Sequence, residues 1–379
     1  MRLFVIDNLQ NYAGIERILS CKMNYIPEQT PNNVFLTIYN QQSKDLSFQL
    51  NENTTYNPIH VPMPLRNKMT FLNWLTVYFQ TPNQFKRHFS SLLNKIRPDI
   101  VICTVYSFQL INIIITVCHN QRIKTIMQSH TKGKTVLMAL RFKYNHHLHK
   151  RFSRWNHHFM KNLRHCSCLV ALTQQDTQFW QHYAQHIEVI HNMLTITPKM
   201  VLDYGSKRAI SAGRYRSEKS LDRLQKAWNL IKKKFCDWEL NIYDNGAKIP
   251  NQIIVDQLQL GRNVHLMPAT QNITEKFSKI SIYVMNSRYE GFGLVLAEAM
   301  SCGPSCVSFA CPYNPSDIIN DVFDSLLKTN DGINNQTNII ETLIYFEYFR
   351  RIIGTIVRYC PDTLIHQNTN LYQKILNSK

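Results

Sequence analysis

Short apolar runs rich in β-branched residues recur along this chain, and between them the apolar positions fall into helical spacing. Residues 2–7 make a buried-type strand with an early acid, Asp7; the polar turn 8–14 comes next, and Ile15 to Ser20 turns helical. Val34–Tyr39 predicts a second strand, and the Asn-rich segment from Asn40 to Pro64 predicts a loop with short strand pieces. From Asn67 to Asn94 the pattern is helical, with Phe71, Trp74, Leu75, Tyr78 and Phe79 on one side and Lys86, Arg87 and Lys95 nearby. These residues suit an amphipathic helix turned to the core, with a surface-binding face as the other role. Ile100–Cys103, Lys124–Gln128 and Leu169–Thr173 predict further strands, with helices over Ile111–Cys118 and Gln174–His186. Glu188–Asn192 closes a first domain, and Pro198 and Gly205 punctuate a linker over Leu194–Ser206.

The same alternation restarts at Arg208. Strands are predicted at Arg208–Arg214, Glu239–Tyr243, Asn263–Met267, Ile280–Val284 and Cys306–Ala310. Helices are predicted over Leu221–Lys233 and Leu294–Met300, from residues 312–320, and from Tyr345 through the tail. Strand and helix in turn imply an α/β fold with parallel sheets. A length of 379 residues suits two domains, expected over residues 1–200 and 201–345, with C-terminal helices over 346–379 packing back.

The chemistry concentrates in residues 287–303, Ser-Arg-Tyr-Glu-Gly-Phe-Gly-Leu-Val-Leu-Ala-Glu-Ala-Met-Ser-Cys-Gly. A strand, a glycine turn through Gly291 and Gly293, a helix and a second strand form a βαβ unit. The helix-start N–H groups of Phe292, Gly293 and Leu294 point beyond the strand and suit a phosphate. Glu290 lies on the loop side of the turn, and Glu298 lies about one turn inside the helix on nearly the face of Leu294. Two carboxylates would repel a phosphate directly beside them. The consistent arrangement puts phosphate on the N–H groups and the acids on hydroxyls to either side, which is the layout of a nucleoside diphosphate sugar.

The run Glu290-Gly-Phe-Gly-Leu-Val-Leu-Ala-Glu298-Ala299 resembles the E-x7-E signature of the retaining glycosyltransferase family 4. That resemblance implies a GT-B fold, two Rossmann-like domains facing each other across a cleft, with C-terminal helices packing back across both. It implies that Glu298 holds the donor ribose and that Glu290 contacts the transferred sugar near the reacting carbon. Arg214 and Lys219 match the two cations that grip the donor diphosphate in this family. Such cations stabilise the charge that grows as the sugar leaves. His130, just past a strand's carboxyl end, matches a sugar-contacting histidine of the active site; a satisfied structural histidine fits that position equally well. Gly14 matches one of two glycines of the N-terminal loop, where the backbone approaches the donor phosphate or the acceptor, and Asn192 matches the asparagine before the linker. The chain departs from the family where Pro304 directly follows Gly303 and where Ala13 stands in place of the other glycine.

The implied reaction moves one sugar from a nucleotide-sugar donor, a UDP-sugar, to an acceptor hydroxyl with retained configuration. No metal or other cofactor is expected, and Asp237-Trp-Glu239 reads as a turn rather than a metal-binding acid pair.

Charge bears on the acceptor. Forty-three Lys and Arg against 25 Asp and Glu give a formal charge of +18, which favours anionic partners such as a lipid-linked glycan or another cell-surface polymer precursor. Residues 141–165 are basic, histidine-rich and interleaved with aromatics. A solvated helix, an anionic membrane or acceptor surface, and bound metal are the three roles that fit them.

The start lacks the apolar length of a signal peptide, and Ile100–Cys118 is too polar to span a bilayer. Ten cysteines without zinc spacing then suit a reducing, cytoplasmic setting, at most peripheral on the inner membrane face. Two other functions stay open: a non-catalytic protein on a GT-B scaffold that binds nucleic acid or another anionic polymer, with nucleic acid the weaker partner, and a sugar-nucleotide epimerase.

Overall fold

A computed structural model of the chain describes residues 1–6, 9, 14–29, 34–38, 46, 48–59, 71–104, 108–130, 160–196, 206–213, 219–244, 249–270, 272–288, 290–311, 318–319, 325–328, 340 and 361–378. They fall into two compact units, one formed by Met1–His191 with Leu364–Lys379 and the other by Asn192–Thr363.

The first unit is built on strands β1 (Arg2–Ile6), β2 (Val34–Ile38), β3 (Thr54–Tyr56), β4 (Ile100–Thr104), β5 (Lys124–Gln128), β6 (Cys168–Ala171) and β7 (Ile187–Val189). They form one seven-stranded sheet in the order β3-β2-β1-β4-β5-β6-β7, parallel throughout. All five residues of β1 and of β4 are buried, as strands covered on both faces must be. On one face Leu3, Val5, Val101 and Cys103 pack with Phe85, Phe89, Ile114 and Trp180. On the other, the terminal helix Pro361–Asn377 sets Tyr372 edge-on to Phe4, with ring centroids 6.3 Å apart. Gln128 Nε2 donates to Tyr372 Oη at 3.2 Å and to Asn368 Oδ1 at 3.3 Å, which ties this last helix to the sheet.

The long helix expected near residues 67–94 runs over Phe71–Ile96 and continues through Pro82. Its described half turns Phe85, Phe89 and Leu93 into the core. The side chains of Phe71, Trp74, Leu75, Tyr78 and Phe79 lie outside the described residues. Residues 141–159 lie outside them too, whereas Arg164 and His165 are exposed in the 3-10 turn Leu163–His165.

The second unit holds β8 (Arg208–Ala212), β9 (Glu239–Asp244), β10 (Val264–Pro268), β11 (Ile282–Met285), β12 (Ser305–Ala310) and β13 (Ser325–Lys328). Their order is β10-β9-β8-β11-β12-β13, again all parallel. Leu224, Trp228 and Ile231 of the helix Leu221–Ile231 close one face over Leu240, Ile242, Ile282 and Val284. Two units of parallel sheet and helix are the α/β architecture that the alternation of patterns implies.

Several elements differ from expectation. The helix after β6 is Gln174–Trp180, ending well before His186, because the chain must reverse to bring Ile187 beside Leu169 in β7. Ile249–Gln257 is a helix that the pattern hides. Its Ile249 and Ile253 are 72% and 50% exposed while Val255 is buried in the core, so its apolar residues do not line up as one buried stripe. The short helix Ile273–Phe277 is a second such case. The helices expected from 312–320 and over Tyr345–Tyr359 lie almost wholly outside the described residues.

Candidate active site

In the second sheet the chain runs from β8 outward to β9 and β10, then crosses back so that β11, β12 and β13 continue on the other side. The loops leaving adjacent β8 and β11 therefore part in opposite directions, and the crevice at their carboxyl ends is where parallel sheets bind ligands. Both loops carry charge there. After β8 the chain passes Gly213 and returns at Lys219; after β11 it passes Asn286 and Ser287 and reaches Glu290.

Lys219 Nζ lies 2.5 Å from Glu290 Oε1, with the two side chains 21% and 14% exposed. Ser287 Oγ donates to the same carboxylate oxygen, also at 2.5 Å. A Cβ placed on Gly213 would come within 2.9 Å of Lys219 Cε, so the lysine stem lies across that glycine. The chain beyond Lys219 turns through Ser220, a left-handed residue with φ 48°. Asn286 Nδ2 donates to the Ser220 carbonyl at 2.7 Å, tying the end of β11 to the lysine's segment.

The helix Leu294–Cys302 starts after Gly293, whose φ of 61° lets the chain turn sharply into it. Leu296 N donates to the Gly293 carbonyl at 2.8 Å, so the preceding amides lie ahead of the first carbonyl partner inside the helix. Every residue of this helix except Val295 is buried, which explains its apolar composition. Glu298 is its one ionisable carboxylate and is only 1% exposed. Thr195 Oγ1 donates to Glu298 Oε1 at 2.8 Å. A buried carboxylate is costly unless hydrogen bonds satisfy it, so an acid at this position is there for a reason other than packing.

Tyr283 of β11 is fully buried. Its hydroxyl is buried and has no hydrogen-bond partner among the described residues. Burial pushes the phenol well above its usual range, and the charges of Glu290 and Glu298 push it further.

Of the residues that the sequence points to, Lys219 and Glu290 meet in this second unit, which also holds Glu298 and the helix start at Gly293 and Leu294. Phe292 and Leu294 have buried side chains, so what they can offer a ligand is backbone. Arg214 lies outside the described residues. Gly14 begins the helix Gly14–Gln29 of the first unit, and His130 lies just past β5 in that unit, 8% exposed. Thr195, Ser287 and Asn286 went unnoticed in the sequence. Ser287 stands three residues before Glu290, a weak signal in itself; Thr195 stands 103 residues from Glu298, with no local pattern to mark it.

Comparison with known proteins bears on the same unit. Residues 195–347 match the family described as glycosyl transferases group 1. That match covers most of the second unit. An uncharacterized glycosyltransferase of Haemophilus influenzae is 29% identical over 183 residues, which is 47% of this chain and 52% of that protein. The chain thus spans about half the length of that curated relative. The lipopolysaccharide 1,6-galactosyltransferase of Salmonella typhimurium is 24% identical over 304 residues, 75% of this chain and 76% of that one. Among solved structures, Anabaena HepE in complex with UDP superposes with a TM-score of 0.71 at 12% identity, covering 99% of this chain and 100% of HepE. The chain has the GT-B fold. Its relatives include glycosyltransferases that act on cell-surface polysaccharides.

Proposed function

We propose that the protein is a retaining glycosyltransferase that moves a sugar from a UDP-sugar to a hydroxyl of an anionic or lipid-linked cell-surface glycan. The observation that carries this is Glu298, a carboxylate 1% exposed in the buried helix that follows β11, in the same unit as the Lys219–Glu290 pair. Glu298 accepts the ribose hydroxyls. The amides at the start of its helix, with Lys219 and Arg214, take the diphosphate. Glu290 faces the sugar.

In the reaction the bond from the anomeric carbon to the diphosphate oxygen breaks, and the acceptor oxygen bonds the same carbon on the same face. The acceptor's proton passes to the leaving diphosphate. The cations and the helix start stabilise charge that is greatest in the transition state, so they lower the barrier rather than only tightening binding. His130 is the sugar-contacting histidine of this reading, and Gly14 marks the loop where the backbone approaches the donor phosphate or the acceptor.

The UDP bound to HepE and the lipopolysaccharide named for the Salmonella enzyme support these choices of donor and acceptor class. The charge of +18 supports an anionic acceptor. Among the described residues no helix is long and apolar enough to cross a membrane. Work at the inner membrane face would then rest on surface attraction, for which residues 141–165 are the segment to test.

Thermal shift with UDP, GDP, ADP and their sugar conjugates tests the donor site. The wild-type chain is expected to gain stability with one nucleotide family, by about 2.7 kcal/mol at a hundred times Kd. Glu298→Ala should lose that gain, and Glu298→Gln, which keeps the size, should lose most of it. A folded wild-type chain that no nucleotide stabilises would defeat the transferase function and favour a binding protein for anionic polymers.

A further inference from the structure

We infer that the Lys219–Glu290 pair is a charge exchange that lets the site distinguish a sugar nucleotide from the bare nucleoside diphosphate; this rests on the transferase function proposed above. Two donors converge on one oxygen of Glu290, Lys219 Nζ and Ser287 Oγ, each at 2.5 Å. They differ in what they can do next. Ser287 is 1% exposed and sits three residues from Glu290 on the same loop, so its single proton stays with the carboxylate. Lys219 arrives from the opposite loop on a flexible stem that crosses Gly213, and an ammonium is a point charge with three donors that can turn to a new acceptor.

A diphosphate in the crevice draws the ammonium to itself. Glu290 then loses its cation while remaining mostly out of water, which is costly unless other donors replace it. A transferable sugar brings hydroxyl protons to that carboxylate. A bare nucleoside diphosphate brings none, so it binds at the expense of a poorly compensated acid. The consequence is directional. The donor is held with Glu290 satisfied by the sugar, and once the sugar has moved, Lys219 returns to Glu290 and the product nucleotide is released more readily. Glu290 thereby acts as a selector against its own product as well as a contact to the sugar.

Calorimetric titration of UDP, UDP-glucose, UDP-galactose and UDP-N-acetylglucosamine into four proteins tests this: wild type, Glu290→Gln, Lys219→Met and the double variant. GDP or ADP compounds replace these if thermal shift names another base. Glu290→Gln is expected to bind the bare nucleoside diphosphate about five-fold tighter than wild type, since Lys219 is then free. It should bind the preferred sugar nucleotide no tighter. Lys219→Met should weaken the bare nucleotide, and in that background Glu290→Gln should change nothing. Glu290→Ala, expected to tighten the bare nucleotide likewise, stands in should Glu290→Gln not fold. Equal or weaker nucleotide binding by the Glu290 variants overturns the exchange, and so does tightening that persists without Lys219. If wild type binds no nucleotide at all, the transferase function fails and the exchange falls with it, a result distinct from either of these.

Discussion

Lys22 is a charged residue buried in the first unit. It lies on the helix Gly14–Gln29, is buried, and donates to the neutral amide oxygen Gln128 Oε1 at 3.2 Å. Burial alone draws its pKa down from 10.5 to about 8. Below pH 8 both the folded and the unfolded chain carry the proton, so the cost of burying the charge is felt in full. Between pH 8 and 10.5 the unfolded chain binds the proton more than the folded one does, and stability rises with pH. A shift of that size corresponds to about 3 kcal/mol. Lys22→Met should therefore be more stable than wild type at pH 7 and should lose the rise above pH 8; urea unfolding of both proteins at pH 7 and pH 9.5 checks it. The same slope in both would show that the lysine is not what titrates. Glu298 presents the opposite case at this scale. The sequence marks it by spacing, yet only the structure shows that Thr195 holds it and that the helix around it is buried on nearly every side.

Among the elements, the helix Leu294–Cys302 depends on how it stops. Gly303 has φ 99°, and its N–H donates to the carbonyls of Ala299 and Met300, each at 3.2 Å. The helix closes through a left-handed residue and passes straight into Pro304 and β12. Gly303→Ala should cost about 1 kcal/mol, because a Cβ in that conformation crowds the following carbonyl. Urea unfolding with and without nucleotide would separate lost stability from lost binding, and an unchanged midpoint would show that the cap is not under strain. The helix itself was legible because good helix formers follow a glycine turn. Ile249–Gln257 was not, since its β-branched cluster Ile253-Ile254-Val255 makes no helical stripe, with Ile249 and Ile253 exposed and only Val255 in the core.

For the molecule as a whole, the first unit is closed by the end of the chain. Tyr372 packs on Phe4 and lies beneath the Arg2 guanidinium, 5.8 Å from the ring centroid, and Lys374 pairs with Glu188 at 3.0 Å. A chain cut before Pro361 uncovers that face of the sheet while leaving the core around Trp228 and Val284 intact. Limited proteolysis should then degrade residues 1–191 faster than in the full chain and spare the second unit, and UDP should protect only the latter. Equal resistance of the first unit in both chains would refute this role for the last helix. The sequence by itself determined the α/β alternation, the glycine turn with its two glutamates, and the positive charge, because these arise from local periodicity and residue chemistry. Tertiary structure decided that Lys219 meets Glu290, that Thr195 meets Glu298, and that Tyr372 of the final helix meets Phe4 and Gln128 of the first sheet. Those pairings join residues far apart in the chain, and strand order, which local pattern does not encode, is what brings them together.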